Sequence, residues 1–286
     1  MNSPVILPSL DSPEMALQRR RDLDMPRHQA KALGLSAVVA SREGHYLAPG
    51  GEAVDWRNAV GAAIAAKVSI RPDTTLPEPP SQSCAETRVQ VANETTLGAA
   101  RRLVEAGLRP LALNFANGIH PGGGFLGGAR AQEEVLCRSS ALYVTLEGDP
   151  MYAAHRERPR PDSTDWAILS PDVPVFRTDD GTALDSPWLL SFITCAAPYA
   201  PAFEMQEAAQ MLEQRIVRVL DIARSYGYVS LVLGAWGCGA FRNHPRTTAL
   251  AFCQALEGRF VGAFSDIVFA VTDWSPERRF LGPFRD

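Results

Sequence analysis

Paired cysteines, long apolar runs and a surplus of either charge are all missing from this sequence. The five cysteines (Cys84, Cys137, Cys195, Cys238 and Cys253) are odd in number and scattered, and no CxxC pair or Cys/His cluster has zinc spacing. A disulfide framework and a metal site are therefore not expected. The histidines form no HExxH or other ligand spacing, and His120 reads as positional. No apolar run is long enough to span a membrane, and the start, "MNSPVILPSLDSPEM", lacks the basic region and apolar core of a signal peptide. A reduced, cytoplasmic location follows as the expectation. The net charge is −4, and Arg19-Arg20-Arg21 is the longest block of like charge, so nothing calls for non-specific DNA binding.

What is present is punctuation by glycine and proline between apolar segments. Residues 13–33 read as a helix, followed by a hairpin-like region and a helix over 56–66. The run "RPDTTLPEPPSQS" (71–83) reads as a linker or surface loop, which divides an N-terminal helical extension (1–83) from a core (84–286). From there strands and helices alternate: strand 87–92, helix 94–107, buried strand 110–116, helix 132–148, short strands at 165–170 and 173–176, and the apolar run 188–197. A loop-rich stretch leads from the helix 132–148 to the short strands. The segment 203–227 is an amphipathic helix with Met211, Leu212, Ile216, Val219 and Leu220 on one face. Strand 229–235, helix 246–258 and strand 266–274 complete the pattern. Alternation of this kind implies a three-layer α/β/α fold with a mixed central sheet, and ligands in such sheets bind beyond the carboxyl ends of the strands.

Two glycine loops occupy that position. The first, "NFANGIHPGGGFLGGARAQEE" (114–134), has five glycines in the seven residues 122–128 and ends on two adjacent carboxylates. The second is "LGAWGCGAFRNHP" (233–245). Strand-to-helix loops of this composition present free amides and a helix N-terminus to an anion, and two of them suit a pyrophosphate. Neither ends in GK[ST], and the first fails the GxGxxG pattern. Read alone, each loop could equally be a tight turn. Likewise Glu133 and Glu134 alone read as charges complementing a helix dipole, worth about 0.3–1 kcal/mol. Their side chains should point roughly 100° apart, so one could hold hydroxyls while the other faces a bond to be broken.

The motif "GGGFLGGARAQEE" resembles the signature of poly(ADP-ribose) glycohydrolases: three glycines, a spacer of seven residues here, then Gln-Glu-Glu. The chain is similar to the microbial-type branch of that family, and the similarity extends to "NETTLGAARRLV", "SPDVPVF", "SFITCAAP" and the second loop. The resemblance implies a macrodomain fold, no cofactor, and hydrolysis of the ribose–ribose O-glycosidic bond of poly(ADP-ribose) to ADP-ribose. It matches Glu134 to the catalytic acid and Glu133 to its neighbour that holds ribose hydroxyls. Gln132 joins the substrate-binding set as part of the signature, and Asn117 matches a contact to the distal ribose. Gly122, Gly123 and Gly124 would line ribose and pyrophosphate. Gly237, Cys238, Gly239 and Ala240 would cradle the diphosphate, with Phe241 against the distal ribose. The implied chemistry needs a glutamate that keeps a proton near neutral pH.

Cys238 has no partner base for a nucleophilic role, and Trp274, at the end of the last strand, is a candidate for stacking on adenine. Two alternatives stay open: a non-catalytic ADP-ribose-binding module, which would not need Gln132-Glu133-Glu134, and a hydrolase of another ADP-ribosyl linkage on protein or nucleic acid.

Overall fold

The computed structural model describes residues 4–81 and 83–286. Residues 1–3, at the start of the N-terminal segment, and Gln82, in the proline-rich loop, lie outside the described residues. The strands are β1 (Val5–Ile6), β2 (His45–Leu47), β3 (Ala53–Asp55), β4 (Val68–Ile70), β5 (Arg88–Ala92), β6 (Pro110–Phe115), β7 (Ala167–Arg177), β8 (Ala183–Cys195), β9 (Ser230–Leu233) and β10 (Asp266–Ala270). The helices are α1 (Pro13–Leu23), α2 (Arg27–Glu43), α3 (Arg57–Ala66), α4 (Thr96–Glu105), α5 (Gln132–Ser139), α6 (Leu142–Leu146), α7 (Pro150–Arg156), α8 (Met205–Ser225), α9 (Pro245–Glu257) and α10 (Gly282–Arg285).

One sheet organises the molecule, in the order β1-β5-β10-β9-β6-β8-β7-β4; β2 and β3 form a separate antiparallel hairpin. In the sheet order from β1 to β8 every pairing is parallel, whereas β7 and then β4 continue the sheet antiparallel. Parallel strands buried on both faces read as continuous apolar runs, and β6, β9 and β10 are such runs. One core, with Leu97, Leu136, Leu142 and Phe192, lies under α2 to α7; the other, with Leu212, Ile216, Phe252 and Phe264, lies under α8 and α9. This is the three-layer, macrodomain-like arrangement expected. The first 83 residues supply both edge strands of the sheet, β1 beside β5 and β4 beside β7.

Several boundaries differ from the sequence reading, each for a local reason. The helix expected over 13–33 breaks at Met25-Pro26, because proline disfavours the helical conformation of the residue before it. A second helix then runs to Glu43 and stops at Gly44, whose φ is 77°. The helix expected over 132–148 divides at Ser140, whose extended backbone bridges Val175 while its hydroxyl donates to the Leu136 carbonyl at 2.7 Å. The two short strands expected after residue 165 are one strand with a register shift between Ser170 and Val173. Within the stretch expected to be loop-rich, α7 forms behind Asp149, which accepts from the Met151 amide at 3.0 Å with Pro150 at the first helical position.

Helix α2 lies directly on the first glycine loop. A Cβ on Gly34 would stand 2.9 Å from the Phe125 carbonyl oxygen and 3.0 Å from the Phe125 ring, so only glycine allows this approach. Arg27 donates to the Gly127 carbonyl at 2.8 Å, and Arg130 donates to Asp24 at 3.0 Å and to the Met25 carbonyl at 2.6 Å.

A paired substitution separates packing from helix propensity. Gly61, inside α3, has open space around a built Cβ. Gly61→Ala should stabilise the chain by about 0.5–1 kcal/mol, the ordinary helix gain. Gly34→Ala should do the opposite, by about 1–3 kcal/mol, because backbone has to move to admit the methyl group. Thermal or denaturant unfolding of the two variants measures both signs, and a stabilising Gly34→Ala would remove the close contact from the account.

Candidate active site

The parallel strands end on the same edge of the sheet, and a cavity of about 490 Å³ opens there. Its wall is drawn from just beyond every one of five strands: Glu94 and Thr95 after β5, Phe115 to Asn117 at the end of β6, Ala197 after β8, Ala235 to Phe241 after β9, and Ala270 to Thr272 at the end of β10. The start of α5 closes one side, and Leu23 and Asp24, at the end of α1, reach in from the N-terminal segment. Trp274, 46% exposed, and Phe280 complete the rim. Phe280 is brought there by Asp273, whose carboxylate accepts from the Phe280 and Leu281 amides at 2.7 and 3.1 Å.

The three residues of the Gln-Glu-Glu motif open α5 and do different things. The Gln132 side chain is tied to strand β6: its oxygen accepts from the Phe115 amide at 2.9 Å, and its nitrogen donates to the Leu113 carbonyl at 2.8 Å and to Thr96 at 3.0 Å. Glu133 is 3% exposed. One of its oxygens accepts from the Asn117 amide at 2.7 Å and the other from the Asn114 side chain at 3.3 Å. Glu134 is 8% exposed; its Oε1 accepts from the Gly124 amide at 2.9 Å, and its Oε2 has no partner among the described residues.

The first glycine loop thus holds an anion belonging to the chain itself. Gly123 donates to the His120 carbonyl and Gly124 to Glu134. Gly123 has a φ of 58°, and a Cβ there would stand 2.5 Å from Glu134 Oε1 and 3.0 Å from Glu133 Oε2. The two carboxylates therefore converge on one glycine, and no other residue fits beneath them. Gly122, Gly123 and Gly124 lie behind the carboxylates and are not part of the cavity wall. The Asn117 side-chain oxygen accepts from the Ile119 and His120 amides at 2.9 and 3.0 Å, which leaves its NH₂ group free to donate.

The second loop differs. Among the described residues, the amides of Gly239, Ala240 and Phe241 have no chain acceptor, so this loop has donors to offer an anion. It is shaped by Gly237, at φ 74°, where a Cβ would collide with Asn243 and Ala197. Asn243 locks the turn by donating to the Pro198 carbonyl at 2.8 Å. The Phe241 ring meets Tyr199 edge-on at 5.9 Å. The Cys238 thiol is buried against Thr248, and burial pushes it up to about 11, so it stays protonated at neutral pH. Among the described residues no cluster of His, Cys, Asp and Glu could hold a metal ion.

All the residues of Asn117, Gln132 to Glu134 and Gly237 to Phe241 thus come together on one cavity. Glu94, Thr95, Asp24, Arg130 and Asp179 also line it without having been singled out in the sequence. Asp179 sits in a TDDG stretch that reads as an ordinary turn, and the others come from segments distant in the chain. Arg138, fully buried beside the site, had a usable signal: it is four residues from Glu134 on the same helix face.

Burial raises the Glu133 carboxyl from its ordinary range to about 8; hydrogen bonds from the Asn117 amide oppose this and the Glu134 charge adds to it. The pair therefore retains a proton through neutral pH. A folded-state value above the unfolded one means that the stabilisation is complete below the unfolded value and is lost as pH rises through the folded one. Asp179 behaves alike, raised by burial to about 6, so it contributes at lower pH. Between about pH 6.5 and about pH 8 the wild type should lose roughly 1–2 kcal/mol through Glu133. Glu133→Gln should remove most of that slope, which melting curves at the two pH values measure at roughly 2–4 °C per kcal/mol. Parallel slopes for variant and wild type would refute a neutral Glu133.

The model of the family described as microbial-type PARG, catalytic domain, matches residues 36–178. Poly(ADP-ribose) glycohydrolase from Thermomonospora curvata is 40% identical with a TM-score of 0.86, over 91% of this chain and 100% of that one. The same enzyme bound to the inhibitor ADP-HPD aligns at 40% identity and TM-score 0.83, over 90% and 98%. Poly(ADP-ribose) glycohydrolase from Deinococcus radiodurans in complex with ADP-ribose is 39% identical with a TM-score of 0.74, over 81% and 97%. A search of curated proteins finds no match. With this identity along nearly the whole chain, and with both glycine loops and the glutamate pair set on one cavity, the chain belongs to the microbial-type poly(ADP-ribose) glycohydrolase family.

Proposed function

We propose that this protein hydrolyses the ribose–ribose O-glycosidic bonds of poly(ADP-ribose) and releases ADP-ribose. The observation that carries the reading is the asymmetry of the pair at the cavity they both line: Glu133 is held on both oxygens by the chain, whereas Glu134 is anchored through one oxygen and its buried Oε2 has no partner among the described residues. In this reading the diphosphate lies on the amides of Gly239 to Phe241, and the distal ribose is held between Phe241, the Asn117 NH₂ group and Glu133. No cofactor is needed.

The bond between the anomeric carbon of the distal ribose and the leaving 2′-oxygen breaks as Glu134 delivers the proton kept by the pair. Charge of oxocarbenium character then develops beside two carboxyl groups, which stabilise it. A water adds its oxygen to the anomeric carbon and gives its proton to Glu134, which restores the pair. Glu134→Gln keeps size and the hydrogen bond to Gly124 but cannot carry a proton through this cycle. Turnover should fall at least about 10²–10⁴-fold. ADP-ribose should still raise the melting midpoint of the variant by several degrees, about 2.7 kcal/mol at a concentration 100 times the dissociation constant. Polymer and mono-ADP-ribosylated protein, with products resolved by chromatography, supply the readout. Intact polymer with a normal melting shift in the wild type would favour a binding module, and release from the protein conjugate alone would favour a different linkage.

A further inference from the structure

The turn that follows β6 is held from outside the cavity by two neighbouring side chains of α7. His155 is 4% exposed, and its Nδ1 lies 2.9 Å from the Gly118 carbonyl oxygen. A carbonyl only accepts, so Nδ1 carries the proton and donates. Nε2 stands 2.7 Å from the Thr164 hydroxyl, whose oxygen accepts from the Trp166 amide at 3.2 Å and whose own proton is free for the ring. Burial lowers the imidazole from its ordinary value, with the bond to Gly118 opposing, so the ring is neutral at pH 7. Among the described residues His155 is the sole donor to the carbonyl of the buried Gly118, and Arg156 donates to the next carbonyl, of Ile119, at 2.7 Å. A Cβ on Gly118 would collide with Ser163, so the turn lies close against the segment that follows α7. Helix α7 is anchored in turn, because its capping Asp149 accepts from Lys67 and Ser69, both at 2.9 Å.

This turn carries two groups of the site. The Asn117 amide, one residue before Gly118, donates to Glu133 at 2.7 Å, and the Asn117 side chain is oriented by the amides of Ile119 and His120. Asn117 and Glu133 line the cavity; Gly118, His155 and Arg156 do not. We propose that His155, seconded by Arg156, is a positioning residue: by holding the carbonyls of Gly118 and Ile119 the two fix the turn on which Asn117 carries Glu133 and presents its NH₂ group to the distal ribose. This rests on the hydrolase reading, which places the distal ribose there. Among the described residues no hydrogen bond joins α7 to the second glycine loop. The effect should therefore fall on the distal ribose and on turnover, and spare the diphosphate.

The test compares the wild type, His155→Leu, His155→Asn and Arg156→Ala in kcat on polymer and in the melting shifts given by saturating ADP-ribose and ADP. ADP keeps the diphosphate and lacks the distal ribose. In His155→Leu kcat should fall about 10-fold or more, since a misplacement of about 1 Å can cost on the order of 10²-fold. Its ADP-ribose shift should shrink towards its ADP shift, which should stay as in the wild type. His155→Asn places an amide NH₂ where Nδ1 stood and should recover most of both. A role in stability alone would lower the melting midpoint of the free protein and leave kcat and the difference between the two ligands unmoved, which would overturn the inference. His155→Asn no better than His155→Leu would assign the effect to lost ring packing and overturn it too. Where His155→Leu does not fold, Arg156→Ala, at an exposed position, decides: kcat and the ligand difference should both fall, and no change in either overturns the inference. Wild type that binds ADP-ribose but leaves polymer intact would fell the hydrolase reading, and the ligand difference, which needs no turnover, would still decide whether His155 positions the turn.

Discussion

The structure depends on placing two carboxyl groups, nearly out of reach of water, at the first turn of one helix. Isolated buried carboxylates are prohibitively costly. The chain meets the cost with the amides of Gly124 and Asn117, the Asn114 side chain, the dipole of α5 and the retention of a proton by the pair. A glycine-rich loop just before two negative charges is thus an anion-binding loop whose anion is built into the chain. The same arrangement leaves one buried oxygen, Glu134 Oε2, without a partner among the described residues, on a residue that lines the cavity.

Holding that loop rigid is the work of the N-terminal segment. Helix α2 meets Phe125 through Gly34, Arg27 fastens Gly127, and Arg130 ties the approach to α5 back to Asp24 and Met25. Gln132 clamps the helix start to β6 from the other side. A site of this kind tolerates little displacement, since misplacing a reacting group by about 1 Å can cost on the order of 10²-fold in rate. The second loop needs less bracing because its task is to keep amides free, and one buried asparagine, Asn243, with Gly237 holds its turn.

Burial raises the carboxyls of Glu133 and Asp179 and lowers Arg138, and the charges of Asp179 and Glu134 oppose that lowering. Each group's protonation therefore depends on its neighbours.

Much of this was legible in the chain. Apolar runs such as "PLALNF" can lie only inside a sheet covered on both faces, so fold class followed from pattern. The Gln-Glu-Glu motif after its glycines marked the site, because that spacing joins an anion-holding loop to a helix start. The break at Pro26 follows from a proline visible in the sequence, but the boundaries near Ser140 and Ser170 were not legible, since a bridge to Val175 and a register shift decided them. The use of the two loops was also hidden: alike in composition, they differ in whether their amides are already taken. That distinction, the contributions of Asp24, Asp179 and Phe280 to the cavity, and the raised carboxyl of Glu133 came only from tertiary structure. Sequence lays down periodicity and the identity of reactive groups, which are local properties. Desolvation and hydrogen-bond pairing depend on what distant segments bring alongside, and these decide which carboxyl is buried and which oxygen stays free.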